Sequence, residues 1–255
     1  MFRFLRVAVL LLVLVNVAVG AWLARVRSTS WEQPLRVAVF LIAADDSPAT
    51  AAYIGRLQRE TFAPVADFVQ REGARYGIGG HPLIEVRLGP VLDRLPPQAP
   101  ANANALRIML WSLQLRFWAW RHAQVPGAAP DVRIIVLFHD PQRVSRVPHS
   151  LGLQKGLIGV VYAFASIDQA AQNNVVIAHE FLHTLGATDK YDVNSKQPIH
   201  PDGYADPAKD PLWPQERAEI MAGRIPVSDT ESVMPASLDV SVIGGATARE
   251  INWNR

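Results

Sequence analysis

The chain has 255 residues, 49% of them apolar and none of them cysteine, and its 25 basic and 23 acidic side chains leave a formal charge of +2. That composition supports one core of ordinary size and excludes disulfides and thiolate metal ligands. The near-balanced charge, with no long run of lysine or arginine, argues against a nucleic-acid-binding face.

Residues 1–27 read as a targeting segment. Arg3 and Arg6 precede an apolar stretch from Val7 to Leu23, broken only by Asn16 and Gly20, and Arg25 and Arg27 follow it. As a helix this stretch spans about 26 Å against a hydrocarbon core of about 30 Å, which suits an uncleaved transmembrane anchor. Ala18-Val19-Gly20 is also an acceptable cleavage site for a secretory signal peptide. Both readings put the domain outside the cytoplasm, in the periplasm or cell envelope if the source is bacterial. The membrane is a partner if the segment is retained.

A polar linker, 28–34, leads into a domain expected over 35–255, with an upper subdomain at 35–186 and a smaller, loop-rich lower one at 187–255. Leu35 to Ala44 is an apolar, β-branched run of strand length that stops at Asp45-Asp46-Ser47-Pro48. Ser47 can cap a helix whose first position is Pro48. Ile54, Leu57, Phe62, Val65 and Val69 continue it as a helical stripe kinked near Pro64. Gly77 to Gly80 read as a loop, Leu83 to Leu88 as a strand and Pro90 to Pro100 as a connector. A second helix is expected from Asn102 to His122. Leu106, Leu110, Leu113, Phe117 and Trp120 form one apolar face on it, extended by Trp111 and Trp118, and such a face is expected in the core. Val132 to His139 and Gly156 to Phe164 are further strands. Leu157 to Phe164, with Gly159, Val160 and Val161 at its centre, is expected at the sheet edge, where a glycine-containing strand admits another backbone.

The next stretch carries the chemistry. His179 and His183 are four residues apart, so on a helix both imidazoles reach one ion. Glu180 lies beside them, placed to take a proton from a metal-activated water without being a ligand. Val175, Ala178, Leu182 and Leu185 give the helix an apolar back, and Gly186 can end it with positive φ. That turn swings Asp189 toward the ion as third ligand. His200, in a loop that could fold back, and Glu216 or Glu219, on a short helix expected from Pro214 to Met221, are alternative third ligands. The donor set and motif point to Zn2+. The carboxylates between Lys190 and Pro214 lack EF-hand spacing and read as a solvated loop.

The run His179-Glu180-Phe181-Leu182-His183-Thr184-Leu185-Gly186-Ala187-Thr188-Asp189 resembles the long zinc signature of the metzincin metallopeptidases. Its aspartate in last place is similar to the snapalysin-type branch of small bacterial neutral proteases. Glu219-Ile220-Met221-Ala222-Gly223 resembles the Met-turn of that clan, with Met221 underlying the zinc site, although the tyrosine usual two residues after the methionine is here Gly223. The resemblance implies an α+β fold with an α/β-like upper subdomain: a mixed twisted sheet of about four to five strands packed on helices. It also implies an edge strand before the zinc helix that holds extended substrate by main-chain hydrogen bonds.

The resulting expectation is an extracytoplasmic zinc metalloendopeptidase acting on a peptide or protein substrate, with Glu180 as general base. The alternatives are a non-catalytic, zinc-stabilised envelope binding protein and a zinc hydrolase of a non-peptide amide.

Overall fold

The computed structural model describes residues 26–101 and 104–253 without interruption, and only scattered positions before residue 26. The signal or anchor expected in residues 1–27 therefore falls mostly outside the described residues. Among those described, no helix is long and apolar enough to cross a membrane.

The fold is α+β, built on a five-stranded mixed sheet packed against helices. Its strands are β1 (Leu35–Ala43), β2 (Ile84–Leu88), β3 (Val132–His139), β4 (Leu151–Leu153) and β5 (Ile158–Phe164). They lie in the order β2-β1-β3-β5-β4; the first four are mutually parallel and β4 runs antiparallel to β5. A parallel sheet must be covered on both faces, and β1 and β3 accordingly read as nearly unbroken apolar runs. The period of two sorts them: Val37, Val39 and Leu41 of β1 belong to one core cluster, while Ala38, Phe40 and Ile42 belong to the other.

Three helices cover the first face: α1 (Pro48–Ile54), α2 (Ala63–Arg75) and α4 (Ala170–Leu185). One helix, α3 (Ala105–His122), covers the second. The stretch after Asp189 adds the short pairs β6 (Ala218–Glu219) with β9 (Ser241–Val242) and β7 (Ile225–Pro226) with β8 (Ser232–Val233), then α5 (Gly245–Glu250). Ile220, Met221, Ile243, Ile251 and Trp253 from this stretch enter the same core as β1 and α4, so the two expected subdomains share one interior.

Several expectations are corrected. The helix expected to kink near Pro64 instead breaks at Gly55, and Pro64 opens α2. Proline fits a first turn because its missing N–H has no intrahelical partner there. No helix runs from Pro214 to Met221; Ala218 and Glu219 pair with Ser241 and Val242 as strands. The segment 28–34 is docked, not a free linker. Trp31 is buried with its ring 5.4 Å from that of Trp253, and its indole N–H donates to the Ile251 carbonyl at 2.7 Å.

Two corrections bear on function. Strand β5 is interior, flanked by β3 and β4, so Gly159, Val160 and Val161 are not at the edge. The edge is β4, whose three residues carry too little pattern to register as a strand in sequence. On α3 the five-residue apolar face expected in the core is the outward one, while Trp111, expected to extend it, is buried. Trp111, Leu115 and Ala119 are buried against the sheet, whereas Leu106, Leu110, Leu113, Phe117 and Trp120 are exposed.

Candidate metal centre

Helix α4 packs on β5 and β4, burying Val175, Ala178, Leu182 and Leu185. That leaves His179 and His183 one turn apart on the opposite side, their ring centroids 4.7 Å apart. The helix ends at Gly186, whose φ of 108° is left-handed, and the Ala187 N–H closes it on the Leu182 carbonyl at 3.1 Å. A non-glycine residue is strained at that φ, so the turn back toward the histidines depends on glycine.

The turn delivers Asp189. Its Oδ1 lies 3.2 Å from His179 Nε2 and 3.1 Å from His183 Nε2. Among the described residues this is the group of three whose ligand atoms, all within 4.8 Å of one another, could hold a metal ion. The other imidazole nitrogens show which tautomer each ring adopts. His179 Nδ1 is 2.9 Å from the Ile220 carbonyl and His183 Nδ1 is 2.8 Å from the Ala187 carbonyl. A carbonyl only accepts, so each Nδ1 donates there and each Nε2 faces Asp189, donating to the carboxylate while protonated and offering a lone pair to a metal once that proton has left. That arrangement orients histidine as a metal ligand.

The residues also fit a metal electrostatically. Burial works against a charge on His179, but its hydrogen bond to Asp189, the charge of Glu180 and the Ile220 carbonyl outweigh this and push its pKa up to about 9. Burial likewise opposes ionisation of Asp189, yet hydrogen bonds from both histidines hold it well below the usual carboxylate range. The pocket is tuned to hold positive charge.

Glu180 is buried, and its Oε2 has no hydrogen-bond partner. Burial raises its pKa, against the pull of His179 and His183. An unpartnered buried carboxylate oxygen beside a ligand group needs a polar partner. A metal with an associated water would provide one. Edge strand β4 crosses directly over this point. A Cβ at Gly152 would meet His183 Cβ and come within 2.6 Å of the Glu180 carbonyl, so only glycine lets the two backbones approach this closely. Gly159 serves the interior strand similarly, since a Cβ there would lie 2.7 Å from Ile134 Cδ1.

Tyr191 completes the surroundings. Burial, the charge of Asp189, a hydrogen bond to Asp189 and the charge of Glu180 push its phenol up to about 12, which keeps it protonated and able to donate. Met221 is fully buried, its carbonyl accepting from Lys190 N–H at 3.0 Å, next to the Ile220 carbonyl that holds His179.

The alternative ligands lie elsewhere. His200 is exposed with Nε2 3.2 Å from the Pro207 carbonyl, and Glu216 is exposed. Glu219 is fully buried, but both its oxygens are committed: Oε2 accepts from the Met221 and Ala222 N–H groups, Oε1 from Gly244 N–H and the Thr247 hydroxyl. It ties the Met221 turn to the start of α5.

Sequence reasoning missed the clamp on the third ligand. Glu250, in α5, accepts from Thr188 N–H at 2.9 Å and from the Thr188 hydroxyl at 2.7 Å, and it pairs with Lys190 Nζ at 2.8 Å. Asp189 is thus held from both neighbours. No local spacing signals this contact, because Thr188 and Glu250 are 62 positions apart. Gly152 was hidden for a different reason, its strand being too short to show a period.

No family model matches the chain, and no curated protein matches it.

Proposed function

We propose that the protein is a metzincin-like zinc metallopeptidase working outside the cytoplasm. The observation that carries this reading is the convergence of two Nδ1-anchored histidines on Asp189, next to a buried Glu180 carboxylate oxygen with no partner. Two nitrogens and one carboxylate oxygen suit zinc in a catalytic site, which keeps one coordination position open. Bound there by His179, His183 and Asp189, zinc would supply Lewis acidity toward a carbonyl oxygen and acidify a water molecule.

The remaining roles belong to the chain. Glu180 takes the proton from the attacking water and passes it to the leaving amine; its raised pKa brings it nearer the operating pH of a general base. Tyr191, kept protonated beside Asp189, is a donor in a protein whose Met-turn lacks the usual tyrosine. The outer edge of β4 passes over Glu180 and is placed to add an extended peptide as a further strand. Met221 and Glu219 hold the floor beneath His179 through the Ile220 carbonyl.

Elemental analysis for zinc, paired with cleavage of casein by wild type and Glu180→Ala, tests this. One zinc per chain in both proteins with cleavage only by wild type is the expected result. Zinc in both with cleavage in neither would favour the non-catalytic binding protein, or the hydrolase of a non-peptide amide if a small amide is cleaved instead. Absence of zinc from both would sink the proposal.

A further inference from the structure

The exposed stripe on α3 is out of place on a water-facing surface. Single exposed apolar residues are ordinary, but contiguous ones mark an interaction surface. Leu106, Leu110, Leu113, Phe117 and Trp120 follow helical spacing along one line, extending about 21 Å at 1.5 Å per residue. The line lies opposite the buried Trp111, Leu115 and Ala119. Arg116 borders one side of it, and Arg107 and Arg121 border the other. The helix contains no acidic residue.

Three features of the protein bear on what covers this stripe. Its flanks carry one sign of charge, so two copies packed stripe to stripe would set arginine against arginine. Beside Phe117 opens a cleft of about 350 Å³ lined by Asp93, Arg94, Phe117, Arg121 and His122. Its two guanidinium groups suit a phosphate, with Asp93 the one opposing charge. The third feature is where the apolar run at 7–23 joins the domain. Arg27, just beyond it, bonds Asp131 at 3.2 Å, and Arg133 Nε, two residues on, donates to the Ala123 carbonyl at the end of α3 at 3.0 Å. Arg27 and the end of α3 therefore lie at the same end of the sheet.

We propose that the outer face of α3 is a membrane-binding surface that lies in the headgroup layer of an anionic phospholipid bilayer, the same bilayer that residues 7–23 would enter. A helix with leucine and aromatic side chains along one face and arginines beside it partitions to that depth. The metal centre is on α4, on the other face of the sheet, so docking by α3 leaves it open to solvent.

The chain has no cysteine, so Leu113→Cys, Phe117→Cys and, as control, Asp202→Cys each carry a single nitroxide label in the full-length protein. The protein is mixed with vesicles of phosphatidylcholine containing phosphatidylglycerol, and collision with oxygen and with a water-soluble paramagnetic chelate gives the depth of each label. Labels at 113 and 117 are expected about 5–10 Å below the phosphates while the label at 202 stays in water. Adding Arg116→Glu and Arg121→Glu is expected to return the first two labels to water. Labels at 113 and 117 that remain accessible to the chelate would overturn the proposal whatever holds the chain to the vesicle. So would labels shielded from both reagents and dipolar-coupled to each other, which would mean that a second copy covers the face.

Discussion

Helices α3 and α4 are both rich in apolar residues and lie on opposite faces of one sheet, yet they use that apolar surface in opposite ways. In α4 the wide apolar side packs into the core and the narrow polar side carries the candidate ligands His179 and His183. In α3 a narrow side, Trp111, Leu115 and Ala119, packs on the sheet, and the wider apolar side faces outward. The difference lies in what surrounds each helix. On its face, α4 is one of three described helices and meets the stretch after Asp189 through Ile220 and Met221, so most of its circumference is covered. Among the described residues α3 is the one helix on its face, and a single helix on a sheet can bury only the strip that touches the strands. Periodicity reveals that a helix has an apolar side; which side the sheet takes depends on neighbours far away in sequence.

The largest expected effect breaks the comparison at the polar side of α4. Glu180→Gln should lower peptide cleavage about 10²–10⁴-fold, the usual worth of a positioned general base, with metal content unchanged. Turnover of casein alongside elemental analysis checks it; loss of metal with activity would assign Glu180 to the ligand shell instead.

The packing claim is sharpened by two leucines two residues apart on α3. Leu115→Ala, at a fully buried site, should cost about 3 kcal/mol, while Leu113→Ala should stay within about 0.5 kcal/mol. Urea unfolding of both variants measures the gap. Equal costs would mean that the outward stripe is covered within the monomer.

A smaller effect is expected from the clamp. Glu250→Ala frees Thr188 and Lys190, and metal affinity should weaken about 10–100-fold, as when a group that orients a ligand is removed. Competition with a chelator reads this directly, and an unchanged affinity would show that the Gly186 turn alone places Asp189.

The last effect is a pH dependence. In the protein without metal, His179 holds its proton up to about pH 9, so metal must displace that proton below this point. Apparent affinity should rise about tenfold per pH unit from neutrality and level off above pH 9. Calorimetric titration in buffers of different ionisation enthalpy counts the protons released. The sign for stability is the reverse. A raised histidine pKa stabilises the metal-free fold below the unfolded value of about 6.5, and that contribution is lost as pH rises through about 9.

Much of the upper half was legible in the sequence because its signals are local. Val132–His139 has the bounds its apolar run implies, Ser47 caps α1 with its side chain, and Gly186 ends α4 in the left-handed region. Within the candidate site, His179, His183 and Asp189 come together through a helical repeat and one turn. What escaped was set by distance or brevity. The Glu250 clamp spans 62 positions, β4 has three residues, and Glu219 is a structural carboxylate because Gly244 and Thr247 come to it from far along the chain. Placement of the α3 stripe failed for the reason given above, since the sheet's choice between two apolar sides is made by tertiary packing.

The Glu250 clamp also puts the site on a clock. Thr188 leaves the ribosome 62 residues ahead of the carboxylate that fixes it, a lag of about 3–12 s at ordinary synthesis rates. Through that interval the two histidines can form on their helix while Asp189 has no anchor from α5. Fixing of Asp189 beside the two histidines therefore waits until α5 has emerged and docked.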